Sequence, residues 1–280
     1  VLPFKTDDPE PRLHVTRNGI RIAYYLQGRG EPLVLIRGYG NAGSMWYSQV
    51  PTLSRAFQVI TFDNRDTGNS DRVAEPYTIS DLAGDTLSLI ESLNLGPVHL
   101  LGLSMGGMVA MEAALRKPSL VKTLILAGTA CNADRGLTSD PEVLALFATL
   151  PELSDEENVR RSLPAFFSAL TLEDKGFIDE YVRRSLAQRP PLTTFQRHSQ
   201  AMQGFDCCGR IQEVTRPTLI QHGGADRLLP VENALTLGKR IPQARLAIYK
   251  GLGHLFLMED PDTANAAVQR FIQESSANHQ

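Results

Sequence analysis

The sequence predicts a mostly parallel α/β sheet with helices on both faces and an inserted block of helices. Three observations carry this. Short continuous apolar runs, such as residues 33–36 (LVLI) and 121–127 (VKTLILA), read as strands buried on both faces. They alternate with segments whose apolar residues recur at helical spacing, such as Leu82, Leu89, Ile90 and Leu93. That alternation builds a parallel sheet with crossover helices. From about residue 131 to 204 the strand runs stop and only helical stripes remain. Residues 1–130 and 206–280 are therefore read as one core domain, and 131–205 as a helical cap inserted into it.

The elements follow in order. Residues 13–15 and 20–26 flank Asn18-Gly19, a hairpin signal because both turn residues tolerate positive φ. The run 33–36 breaks at Arg37-Gly38-Tyr39-Gly40, and one helical segment is predicted from Met45 to Leu53. Residues 57–62 form the next strand, which leads into the polar turn Asp63-Asn64-Arg65-Asp66-Thr67-Gly68-Asn69-Ser70. Thr78-Ile79-Ser80-Asp81 reads as a capping box opening a helix. Strands at 97–101 and 121–127 bracket a helix that ends near Lys117-Pro118. In the insertion, Ser139-x-x-Glu142 and Ser154-x-x-Glu157 read as capping boxes of three or four short helices. Strands at 217–221 and 245–249 bracket a helix from 231 to 241, and a terminal helix covers 262–273 before a frayed tail.

The chain has 280 residues, enough for a sizeable core, and a formal charge of −3, which argues against nucleic acid as a dominant partner. No apolar run is long enough to span a bilayer, and the first residues carry no leader-like apolar region, so a cytoplasmic location is the default expectation. The three cysteines, Cys131, Cys207 and Cys208, are odd in number with two adjacent, and read as reduced thiols that only pack. No phosphate-loop, H-E-x-x-H or Cys-x-x-Cys motif is present, so no metal or cofactor is expected.

Chemistry concentrates at Gly102-Leu103-Ser104-Met105-Gly106, a G-x-S-x-G pattern between a strand and a helix. A serine at such a sharp turn is strained, and Cβ atoms two residues away on either side would collide, which calls for Gly102 and Gly106. The turn lifts the Ser104 hydroxyl off the sheet and sets the Met105 N–H at a helix N-terminus, where an oxyanion is stabilised. Serine is a poor nucleophile without a base, and the base needs an orienting acid. Asp226 and His254 each follow a predicted strand in a glycine-containing loop. In a parallel sheet, those strand ends share one rim. Asp63, Asp66 and Asp206 are rival acids, but Gly223-Gly224-Ala225-Asp226 lifts Asp226 over its strand end.

Over nearly its whole length the sequence resembles the α/β-hydrolase family. The resemblance lies in the elbow at 102–106, in His222-Gly223-Gly224-Ala225-Asp226 as the acid loop, in Gly251-Leu252-Gly253-His254 as the histidine loop, and in the turn at 63–70. It implies a cofactor-free serine hydrolase with the triad Ser104, His254 and Asp226, acting on a small to medium carboxylic ester or lactone. A C–C bond hydrolase with the same triad and a hydrolase-like ligand receptor are the alternatives. The Tyr39 N–H becomes the second oxyanion donor beside Met105. Family members usually carry His-Gly where this chain has Arg37-Gly38. Arg37 is thus either inert, paired with a carboxylate or backbone carbonyls, or a fixed charge facing the site. Arg37, Gly38, Phe147, Phe166, Phe167, Leu170 and Leu255 are the expected pocket residues.

Overall fold

The computed structural model describes residues 10–132, 136, 140–148 (the Phe147 side chain excepted) and 150–277. Its strands are β1 (Arg12–Val15), β2 (Arg21–Gln27), β3 (Glu31–Ile36), β4 (Phe57–Phe62), β5 (Val98–Leu103), β6 (Val121–Ala127), β7 (Thr218–Gly223) and β8 (Arg245–Tyr249). They form one sheet in the order β1-β2-β4-β3-β5-β6-β7-β8. The β1–β2 hairpin and the β2–β4 pair are antiparallel, and every later pairing is parallel. From β3 the chain moves outward to β4, then returns to lay β5 on the other side of β3 and continues toward β8. The β3/β5 junction is therefore the switch point of the sheet, where a crevice opens at the strand ends.

Eleven α-helices are described: α1 (Val50–Leu53), α2 (Ile79–Leu93), α3 (Met105–Arg116), α4 (Pro141–Phe147), α5 (Asp155–Phe166), α6 (Ala169–Glu173), α7 (Lys175–Ala187), α8 (Leu192–Met202), α9 (Glu232–Arg240), α10 (Phe256–Glu259) and α11 (Pro261–Ala277). The capping boxes predicted at Thr78/Asp81 and Ser154/Glu157 are both made. Ser139 lies outside the described residues, and Asp140 caps α4 by accepting from the Glu142 N–H. The single helix expected over 45–53 is instead a 3₁₀ turn, Gly43–Trp46, and the one-turn α1. Pro51 sits at the start of α1, where its missing N–H does no harm but where it cannot continue a helix from before.

Two apolar layers cover the sheet. One packs α2, α3 and α9 against residues such as Val34, Ile60, Leu100 and Leu124. The other packs α11 and α10 against Leu35, Leu101 and Ile125, and is continuous with Val159, Leu163, Phe167 and Tyr181 of the insertion. Helices α4–α8 all lie between β6 and β7 in sequence.

The cysteine expectation is corrected. Cys131 and Cys208 form a disulfide, with their Cα atoms 5.0 Å apart across a sequence separation of 77, and Cys207 is free and buried. The pairing arises because the chain leaves β6 and returns toward β7 side by side. Asn132 bridges Asp206 in antiparallel fashion, and the Cys207 N–H donates to the Cys131 carbonyl at 2.8 Å. Parity and adjacency carry no information about that return path. No described helix is long and apolar enough to cross a membrane.

Candidate active site

Ser104 sits between β5 and α3 with φ 59° and ψ −124°, a conformation that L-residues rarely adopt. Three glycines permit it. A Cβ on Gly102 would overlap the Gly106 carbonyl, one on Gly106 the Ile36 carbonyl, and one on Gly107 the Thr129 side chain. The turn is also tied down, since Ser104 N–H donates to the Ala127 carbonyl at 2.9 Å and Thr129 Oγ1 donates to the Ser104 carbonyl at 2.8 Å. The loop after β3 runs directly over it: a Cβ on Gly38 would press on the Leu103 carbonyl at 2.9 Å and stand 3.5 Å from the Met105 nitrogen.

His254 and Asp226 meet at the neighbouring strand ends. His254 Nδ1 lies 2.7 Å from Asp226 Oδ2, and both side chains are buried. Asp226 Oδ1 accepts from the Leu228 and Leu229 N–H groups at 2.9 Å each. Burial opposes ionisation of Asp226, but the charge on His254 and hydrogen bonds from His222 and His254 outweigh it and bring its pKa to about 2. Among the rival acids, Asp63 accepts from Gly43, Asn69 and Tyr25, and Asp66 from Val73, Tyr77 and Arg197. Asp206 lies in the bridge at the neck of the insertion.

A cavity of about 260 Å³ opens here, lined by Gly38, Tyr39, Ser104, Phe166, His254 and Leu255 among others. Asp226 stands behind His254, and Met105 is buried as the first residue of α3. A larger cleft of about 370 Å³ lies between the β1–β2 turn and α2, but its Arg17 and Lys117 are both paired to Glu91. Among the described residues, no group of three His, Cys, Asp or Glu could hold a metal ion.

Two pocket expectations are corrected, and one falls outside the described residues. Leu170 is 77% exposed, because it faces outward on the short helix α6. Phe167 packs edge-on against Phe177 and Tyr181, within the core rather than the cavity. The Phe147 side chain lies outside the described residues. Arg37 borders the cavity yet is only 1% exposed. Its guanidinium stands 5.1 Å from the centre of the Trp46 ring, and one nitrogen lies 3.6 Å from Met258 Sδ. Nη1 has no hydrogen-bond partner, and no described carboxylate pairs with the group. Burial lowers its pKa from the ordinary value. Arg37 thus stands in the cavity wall without a carboxylate partner. An unpaired buried cation is a burden to the fold. Arg37→Met, of similar length and beside Met258, is expected to raise the thermal midpoint, by about 1 kcal/mol or more in stability. A lowered midpoint in a calorimetric scan would mean that the guanidinium has a partner worth keeping.

Sequence reasoning missed Tyr181, Met108, Leu228 and Leu229 as cavity residues. It also missed α8, whose Ser199 and Met202 border the cavity. Tyr181 and Met108 lie on helical stripes that are indistinguishable from core stripes before the sheet is assembled.

The comparisons agree with this architecture. A profile of the family described as alpha/beta hydrolase fold matches residues 31–261. Among curated proteins, the chain is 29% identical over 267 residues to a protein named as the non-heme bromoperoxidase BpoC of Mycobacterium tuberculosis, covering 92% of this chain and 100% of that one. It is 27% identical over 248 residues to one named as the carbamate hydrolase RutD of Agrobacterium fabrum, covering 86% and 92%. Among solved structures, a hydrolase from Pseudomonas aeruginosa superposes with a TM-score of 0.82 at 27% identity, covering 95% of this chain and 99% of that one.

Proposed function

The chain belongs to the alpha/beta hydrolase fold family, and from that premise we propose that it is a serine hydrolase of small to medium carboxylic esters or lactones. Ser104 is the nucleophile. His254 takes its proton through Nε2, while Asp226 holds the Nδ1–H and stabilises the imidazolium that forms. The N–H groups of Tyr39 and Met105 receive the oxyanion of the tetrahedral intermediate. His254 then protonates the leaving alcohol, and a water molecule activated by the same imidazole frees the acid from Ser104. The insertion serves as a cap that roofs the acyl slot through Phe166 and Tyr181.

The observation that carries the substrate class is the lining of the cavity. Its volume of about 260 Å³ suits a small ligand, and apolar side chains make up most of its wall. A C–C hydrolase must anchor the carboxylate of a dienol-type acid while carbon is protonated. Arg37 is the one Lys or Arg bordering this cavity among the described residues, and its guanidinium is almost wholly buried, with Trp46 and Met258 beside it. A neutral ester or lactone needs no such anchor.

The test is a substrate panel on the purified chain. Short p-nitrophenyl esters are expected to turn over, with kcat/KM falling as the acyl chain outgrows the cavity. Turnover of a vinylogous diketone acid with esters hardly touched would overturn the reading in favour of C–C cleavage. Tight ligand binding without repeated turnover would overturn it in favour of a receptor.

A further inference from the structure

We propose that His198, on α8 of the insertion, is a positioning residue that sets the oxyanion loop after β3. The proposal rests on the serine-hydrolase reading of Ser104. The Gly40 N–H donates to His198 Nδ1 at 3.0 Å in a buried contact, one residue beyond the Tyr39 amide. Gly40 has φ +64°, and a Cβ there would overlap the Phe195 ring, so the loop is fitted to this helix. The Tyr39 ring stands 5.4 Å from Phe195 and 6.0 Å from His198, and its hydroxyl is 3.0 Å from Ser199 Oγ. Residues 195, 198 and 199 share one face of α8 by helical spacing, so one helix face grips Tyr39 and Gly40 together.

The grip is itself anchored to the sheet domain. Arg197 Nε lies 2.5 Å from Asp66 Oδ2, and Thr194 Oγ1 donates to the Asp66 carbonyl at 3.2 Å. A neutral ring is required, because Nδ1 must accept, which leaves its proton on Nε2. Asp66, Arg197, Tyr77 and Tyr39 are the titratable groups that face the ring. Burial is the largest influence among them and takes the His198 pKa to about 4, so the acceptor persists through the neutral range. Without that acceptor the Tyr39–Gly40 peptide keeps only the Asn41 Nδ2 donor on its carbonyl at 2.7 Å, and a shift of that peptide passes through the Tyr39 Cα to the preceding peptide, which carries the Tyr39 N–H. Donor direction matters because the stabilisation is pre-organised. His198 does not border the cavity, so it acts through the loop and does not touch substrate.

Asparagine and leucine at this position separate the roles, since Asn Oδ1 falls where His Nδ1 stands and Leu only fills space. For the best short p-nitrophenyl ester, His198→Leu is expected to lose about 30- to 100-fold in kcat with KM little changed, somewhat less than deletion of an oxyanion donor. The affinity of an alkyl boronic acid, whose adduct with Ser104 is tetrahedral, should fall in parallel. His198→Asn should recover most of both. Equal losses in the two variants, or kcat of a folded Leu variant within threefold of the parent, overturn the proposal. Should the Leu variant fail to fold, His198→Gln replaces it, because its carbonyl reaches the Nε2 position instead. Asn exceeding Gln about tenfold then supports the proposal, and equality overturns it. Failure of a fluorophosphonate to label Ser104 in the parent chain is a distinct outcome, and it overturns the hydrolase reading first.

Discussion

Ser104→Ala is expected to lower kcat for a short ester about a million-fold, by analogy with serine-protease triad deletions, while leaving the fold intact. The second half follows from the elbow itself. The strain at φ 59° is set by the glycines around Ser104 and by hydrogen bonds made through its backbone. Alanine keeps the same Cβ and the same backbone groups, so it inherits the strain without adding to it. Only the hydroxyl that would attack the carbonyl is lost. Steady-state assays should show the loss, and calorimetry should show a midpoint within a few degrees of the parent. A fluorophosphonate should label the parent on Ser104 and leave the variant unmodified. Near-normal turnover in the variant would remove Ser104 from the mechanism.

Asp226→Asn is expected to lower kcat about ten-thousand-fold, through a tautomer and not through geometry. Oδ1 faces two N–H donors, those of Leu228 and Leu229. An asparagine must turn its carbonyl to them, which leaves its NH₂ facing His254. His254 Nδ1 then has to accept, its proton moves to Nε2, and the ring can no longer take a proton from Ser104. The same substitution carries a pH signature. The native carboxylate has its pKa lowered to about 2, so the stability it contributes is complete above the usual aspartate value and is lost as pH falls toward about 2. For this group that amounts to about 2 kcal/mol. Denaturant unfolding of the Asn variant should be flatter between about pH 4 and pH 2 than that of the parent. A variant that keeps within tenfold of parental kcat would show that another group orients His254.

Legibility in the sequence followed the hydrophobic pattern closely. The buried strands announced themselves because both of their faces are apolar, and the loops at 102–106, 222–226 and 251–254 were visible because glycine marks them. Helix α8 was not visible. Its buried residues are Thr194, His198 and Ala201, and two of these are polar, held by Asp66 and by Gly40. A search for apolar spacing passes over a face that is buried through hydrogen bonds. Arg37 was legible as a departure from the family pattern but not in its direction, because a long side chain can swing to either side of the loop that carries it. The Cys131–Cys208 bond was hidden for a different reason. Its partners are joined by the path of the chain across the insertion, and nothing within a few residues of either cysteine encodes that path.

That bond and the bridge beside it bring the two ends of the insertion to within 5.0 Å at Cα. A segment whose ends meet can be lengthened, shortened or exchanged without moving the strands it leaves and rejoins, as domain insertions generally require. Changes in that segment are therefore partly separable from changes at the strand ends. The strand ends carry Ser104, Asp226 and His254, while the segment between residues 131 and 208 is a cassette that leaves and rejoins the sheet at one place. New substrates would be acquired by recombination or drift in that cassette. Such exchange has to keep the contacts made with the sheet domain: an acceptor for the Gly40 amide, the anchors on Asp66, and the packing of Val159, Leu163 and Phe167.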